Sequence, residues 1–188
     1  MIPTSSMPAY GWNWCTDMII RAPGVAALMC VLVGCAHAPP STCAQPRPSP
    51  VSLTVGQTVH RVVDSQNERN RTGVLIDSGG RYRFLASGRW RDGGLDSTTA
   101  GGFALRDVPI WTRPIMWAAQ PIRRAPRASW FALVAELSTE PREFFVIGDS
   151  LPRWVADRSG ELVVFANDVK HFEHNNQGCI SLRVERLR

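Results

Sequence analysis

The sequence predicts an all-β fold, a β-sandwich, and three observations predict it. From Val51 onward the apolar residues come in short runs, several of them strictly alternating with polar ones. The runs are rich in β-branched and aromatic residues and are punctuated by Gly, Asp and Ser. No stretch keeps a 3.6-residue apolar period over three turns. Seven or eight strands in the 138 residues from Val51 to Arg188 fit two packed sheets.

The elements follow in order. Val51 to Val55 alternates, and Val59 to Val63 follows a turn at Gly56. Val74-Leu75-Ile76 stops at Asp77-Ser78-Gly79-Gly80, and Tyr82, Phe84 and Ala86 then alternate with Arg83, Leu85 and Ser87. Further strands are expected at Trp130–Leu137, Phe144–Ile147, Leu162–Phe165 and Ile180–Val184. The segment from Gly93 to Ser129 has little periodicity but contains Trp111 and Trp117, so we expect a long ordered loop. Its tryptophans either pack onto the sandwich or stack on an apolar sugar face.

The chain has 188 residues, 44% hydrophobic and 20% charged, which fits one domain with a tail and excludes both a multi-domain enzyme and a disordered chain. Its net charge is +5, carried by arginines dispersed along the chain with Lys170 as the one lysine. Dispersed charge describes a solvated surface, so no nucleic-acid partner is expected.

Residues 1–34 have the layout of a leader: Arg21, then the ten-residue apolar run Gly24 to Val33, then Gly34-Cys35. The run is too short to span a bilayer. Met18 offers an alternative start with a compact basic segment behind it. Leu32-Val33-Gly34-Cys35 resembles the lipobox of bacterial lipoproteins. That resemblance implies cleavage before Cys35 and acylation, palmitate included, of that cysteine. It also implies an envelope location on a membrane anchor, the outer membrane because Ala36 follows. Residues 35–50 carry five prolines and almost no large apolar residue, an extended tether. Residues 51–188 form the folded domain. Once the leader is removed, Cys43 and Cys179 remain beside Cys35. An oxidising envelope allows them to form a disulfide, and two free thiols are the alternative.

Two motifs bear on chemistry. Gly148-Asp149-Ser150-Leu151, with Asp168-Val169-Lys170-His171 later, resembles the Ser and Asp/His blocks of GDSL-type esterases. That family places its Ser early in an α/β domain, whereas here only seventeen residues of strand-like pattern separate Ser150 from Asp168. A turn is expected there, and no enzyme. The second motif is an apolar strand ending in Asn167-Asp168, then Asn175-Asn176-Gln177-Gly178 and an alternating strand. Its side-chain and carbonyl oxygens are the hard donors that Ca²⁺ takes. His171, Glu173 and His174 lie in the same loop, and the histidines read as solvated rather than as zinc ligands.

From about Val59 onward the chain resembles the PA-I-like galactophilic lectins, calcium-dependent galactose-binding β-sandwiches. The resemblance is carried by Thr72 to Ile76, Tyr82 to Trp90, Phe131 to Ala135, Phe145 to Gly148, Asn167-Asp168-Val169 and Asn175-Asn176-Gln177-Gly178. It implies a galactose-binding-like jelly roll and a Ca²⁺ cofactor. Asp168, Asn175 and Asn176 would bind the ion through side chains, completed by carbonyls at Phe172 and near Asp92. It also implies carbohydrate as the partner, met by Asp168 and Asn175, with Gln120 lying near, but displaced from, the family's sugar-binding Gln; Trp117 of the long loop is the candidate stacking ring beside them. The chain departs from the family in having Lys170-His171 where the family has Pro-Gly. It has Ala118 near the family's sugar-binding His, and it lacks the family's cysteine pair. Carbohydrate binding is thus implied without singling out galactose. The competing expectation is a structural or protein-interaction lipoprotein that kept the sandwich and lost the sugar.

Overall fold

In the computed structural model, Cys43 and residues 45–188 are described; the leader, Met18 and Cys35 lie outside the described residues. Nine strands are β1 (Val51–Ser52), β2 (Thr58–Asp64), β3 (Asn70–Ile76), β4 (Arg81–Arg91), β5 (Leu133–Leu137), β6 (Phe145–Val146), β7 (Ser150–Val155), β8 (Gly160–Ala166) and β9 (Gln177–Arg186). One short helix, α1 (Arg113–Ala119), and three 3₁₀ turns complete the described elements. The strands form two sheets, ordered β1-β3-β8-β5-β6 and β2-β9-β4-β7. The fold is an all-β sandwich.

Alternation places the core. Tyr82, Phe84 and Trp90 of β4 and Ile180, Leu182 and Val184 of β9 point inward and are buried, while Arg83, Leu85 and Arg89 stand outside. They meet Val74 and Ile76 of β3, Leu133 and Ala135 of β5, and Leu162 and Val164 of β8 in one cluster. Burying each large aromatic contributes on the order of 2–3 kcal/mol. β5 is buried along its whole length and β8 from Glu161 onward, which explains their continuous apolar reading. Their outer face is covered by Ala125 and Ala128, with the Arg124 guanidinium 4.7 Å from the centroid of Phe165.

Three strand expectations change. The strand from Val51 shrinks to two residues paired in parallel with Val74 and Leu75, because Leu53 is drawn into the core as the chain turns at Gly56. Trp130–Leu137 begins only at Leu133, since Phe131 adopts a left-handed φ of 59° that breaks the strand before it. A strand that the periodicity does not show, β7, pairs with β4 at the sheet edge.

The long loop is ordered around a second, smaller cluster of Val108, Met116 and Trp130 with Leu95, Ala119 and Val169 against it. Helix α1 has only seven residues, too few to hold alone, and Met116 is its buried anchor. The Arg113 side chain ties the approach to the helix, donating to the carbonyls of Val108 (3.1 Å) and Arg106 (2.8 Å). Both sheets, the core and the disulfide described below lie within residues 43–188, so this segment carries its own fold.

Candidate functional site

The ends of β4, β8 and β9 meet at one end of the sandwich. Register carries them there: Arg91 of β4 pairs with Gln177 of β9, so Asp92 emerges beside Asn175. Asp168 follows β8 after Asn167, and the loop it opens returns through a 3₁₀ turn at Glu173–Asn175 into β9.

Four oxygen-bearing side chains converge there. Asn175 Nδ2 donates to Asp92 Oδ1 at 3.3 Å, and Asn176 Nδ2 donates to Asp168 Oδ2 at 3.1 Å. Asn176 Nδ2 also reaches the Ser65 carbonyl at 3.2 Å, and the Val169 N–H donates to Asp168 Oδ1 at 2.6 Å. The amide oxygens of Asn175 and Asn176 are both buried and accept no hydrogen bond. An orphaned carbonyl oxygen costs about 1–3 kcal/mol, and two beside the buried Asp168 and the partly buried Asp92 call for a positive partner. Gly93 makes room for this packing: its φ is +48°, and a Cβ there would stand 2.9 Å from Asn175 Nδ2.

The electrostatics agree. Burial, reinforced by the charge of Asp168, pushes the Asp92 carboxyl up to about 7, against the opposing Asn175 hydrogen bond. Burial likewise raises Asp168, with the Glu173 charge adding to it, while the Val169 and Asn176 hydrogen bonds and the Arg124 charge oppose it. Two carboxyls that resist ionisation alone would ionise readily around a cation. The donor set of two carboxylates and two amide oxygens is hard and all-oxygen, so it fits Ca²⁺.

Charged side chains buttress the loop from behind. Arg124 Nη2 binds Glu173 Oε1 at 2.5 Å and Glu68 Oε1 at 2.9 Å. Arg123 is buried, stacks 4.4 Å above Trp130, and donates to the Ala128 carbonyl at 3.0 Å. Asn167 clamps the covering segment, accepting from the Ala125 N–H (3.1 Å) and donating to the carbonyls of Ala125 and Ser129 (2.9 Å each). Sequence reasoning missed Arg124 and the buried Glu173, with the partly exposed Glu68, as an ion-paired group. The Arg-rich stretch at residues 123–127 was the available signal.

The sequence-derived residues are distributed as follows. Asp92, Asp168, Asn175 and Asn176 come together, Asp92 by its side chain rather than through a nearby carbonyl. Phe172 has a half-exposed ring and donates its N–H to the Val169 carbonyl. Gln120 is not free, since its Oε1 accepts from Arg123 Nη2. Trp117 is 71% exposed on α1. Cys43 and Cys179 form a disulfide with Cα atoms 5.9 Å apart. Lys170, His171 and His174 are solvent-exposed, and no group of three His, Cys, Asp or Glu forms a metal cluster among the described residues. Of the Gly-Asp-Ser-Leu segment only Gly148-Asp149 is a turn, while Ser150 and Leu151 open β7; Asp149 accepts from the Gly101 N–H (3.0 Å) and the Thr99 hydroxyl (3.0 Å). Asp168 spends its carboxylate on Val169 and Asn176 rather than on a histidine.

Two sheets with oxygen donors gathered on end loops make a β-sandwich with a candidate cation site at one end. Among solved structures, the chain is similar to one described as the EclA N-terminal domain, a PllA-like lectin. The two are 26% identical with a TM-score of 0.51, over 68% of this chain and 94% of that one. No protein-family model and no curated protein matches the chain.

Proposed function

We propose that this domain is a non-catalytic carbohydrate binder that holds Ca²⁺ between Asp92, Asp168, Asn175 and Asn176 and takes its sugar there. The observation that carries the reading is the pair of buried, unpartnered amide oxygens of Asn175 and Asn176 beside two carboxyls whose ionisation burial makes harder. The likeness to a lectin domain supports it. Calcium takes about six to eight oxygens, so positions remain for two adjacent sugar hydroxyls. The chain's own residues would orient those hydroxyls, Asp168 accepting and Asn175 completing the hydrogen bonds. Trp117 offers an exposed ring for stacking. With Ala118 near the family's His and Gln120 committed to Arg123, the sugar need not be galactose.

The protein is carried on the bacterial envelope by acyl chains on Cys35, in the outer membrane, as the lipobox resemblance implies. Among the described residues no helix is long and apolar enough to cross a membrane.

A thermal melt with chelator and with millimolar Ca²⁺ tests the site. Saturation at about 100 times Kd adds about 2.7 kcal/mol, an upward shift of roughly 5–10 °C for a domain of this size. Mg²⁺ should do much less, because it keeps its waters. A glycan array run with Ca²⁺ should then show signals that chelator removes. No Ca²⁺ shift together with a blank array would overturn the reading in favour of a protein-interaction domain. For the anchor, the expected result is a mature amino terminus at Cys35 carrying acyl mass, lost in Cys35→Ala.

A further inference from the structure

The loop end of the sandwich presents apolar side chains that no neighbour covers. Ile110, Trp111, Ile115, Trp117 and Ile122 are between 57% and 75% exposed, while Met116 holds the same segment to the fold. Trp111 stands in the turn before α1, Ile115 in the helix and Ile122 in the 3₁₀ turn after it, so the exposed apolar side chains follow one another along a single surface segment. An apolar ridge of this size on a soluble face marks an interaction surface.

We propose that this ridge inserts at the headgroup–acyl boundary of an anionic bilayer and seats the loop end of the domain on the membrane. Three observations commit it to that occupant. The first is composition: a tryptophan, Trp111, among isoleucines is the kind of group that settles at a bilayer interface, with Trp117 left to the sugar. The second is charge. From Val108 to Ala135 the chain has no Asp or Glu, and Arg127 on this stretch is exposed, whereas Arg106 before it is paired with Asp107 at 3.7 Å. Anionic headgroups complement that edge. The third is the leash. Cys43 is bonded to Cys179, whose strand begins two residues earlier at the candidate site, so the tether is fixed to the loop end of the sandwich. Eight residue steps separate Cys35 from Cys43, a reach of at most about 29 Å. The orientation thus rests on the proposed anchor at Cys35, whereas the ridge's affinity for lipid does not.

The test uses the leader-free, unacylated chain beginning at Ala36, which contains the whole described fold. It is sedimented with vesicles of phosphatidylethanolamine and phosphatidylglycerol, and with vesicles of phosphatidylcholine alone, in chelator throughout. We expect binding to the anionic vesicles, weakened by salt. The combined variant Ile110→Ser, Trp111→Ser, Ile115→Ser should lower partitioning at least about tenfold with an unchanged melting temperature. Trp117 is left intact, so Ca²⁺-dependent glycan binding serves as a separate readout. No partitioning, or equal partitioning of the variant, overturns the proposal. So does concentration-dependent dimerisation of the free protein that the same substitutions abolish, which would assign the ridge to a second copy. Vesicle binding beside a blank glycan array would sink the lectin reading and leave the ridge standing. An unacylated native amino terminus would sink only the anchor.

Discussion

Asp92 is the residue on which the candidate site turns. Its neighbours are Asn175, whose amide donates to it, and the carboxyl of Asp168, whose charge it feels across the loop. With no cation it is held neutral up to about pH 7 by burial first and by Asp168 second. A carboxyl whose folded pKa is raised contributes stability that is fully present below its unfolded value and is lost as pH rises through the folded one. For Asp92 that window runs from 3.8 to about 7, and Asp168 shifts the same way. In chelator, therefore, the melting temperature should fall from acid to mildly alkaline pH, and Ca²⁺ should reverse the trend because it binds the ionised pair. Asp92→Asn removes the charge while keeping the shape. In chelator at about pH 8 it should melt at or above the wild-type temperature, and its response to Ca²⁺ should be lost. A variant that melts lower in chelator yet keeps its Ca²⁺ response would show that Asp92 is a packing residue only. At this scale much was legible: Asp168, Asn175 and Asn176 stand within nine residues of sequence and carry only hard oxygens. The buttress was not legible, because Arg124 meets Glu173 and Glu68 across 49 and 56 residues, and a lone charge in sequence reads as solvated.

Among the elements, β9 joins the two halves of the site. It pairs with β2 on one side and β4 on the other, and its first residues follow directly on Asn176. Gly178 permits that start. Its φ is +90°, and an added Cβ would stand 2.6 Å from the Arg89 carbonyl oxygen and 3.0 Å from Trp90 Cα. Those are backbone atoms of β4 that cannot move aside. Gly178→Ala should therefore cost on the order of 2 kcal/mol or more, from positive φ and backbone overlap together. Urea unfolding would measure it, and a loss below about 0.5 kcal/mol would show that the strand start can relax. The Ala variant should also weaken the Ca²⁺ response, since Asn175 and Asn176 are set by where β9 begins. The same sheet shows why one strand escaped the periodicity. β7 reads Ser150-Leu151-Pro152-Arg153-Trp154-Val155, and a proline ordinarily demotes such a run. Here β7 is an edge strand beside β4, so the missing N–H leaves no ladder bond unmade. The strands around β4 and β9 were legible because alternation is strict wherever one face is buried. The extent of β1 depended on contacts the sequence does not display.

Across the whole molecule, the Cys43–Cys179 disulfide closes a loop of 136 residues and so encloses nearly all of the domain. A cross-link between the approach segment and the last strand acts chiefly on the unfolded chain, which it forbids to open fully. By the chain-entropy relation a loop of this length contributes about 5 kcal/mol, with strain and residual structure lowering the measured figure to about 2–4. Cys43→Ser/Cys179→Ser should therefore unfold at markedly lower denaturant. Its m value should rise, because the unlinked unfolded chain exposes more surface. The native contacts near Cys179 argue that the loss will be global. Cys179 sits in register with Asp64 on one side and Arg89 on the other, and these pairings remain when the sulfurs are gone. Calcium stabilisation should accordingly persist in the variant at 25 °C, measured as the increment in unfolding free energy with and without chelator. If the increment vanishes while the m value stays constant, the strap holds the site's geometry directly. If the increment survives, the strap is a thermodynamic clamp on the unfolded chain.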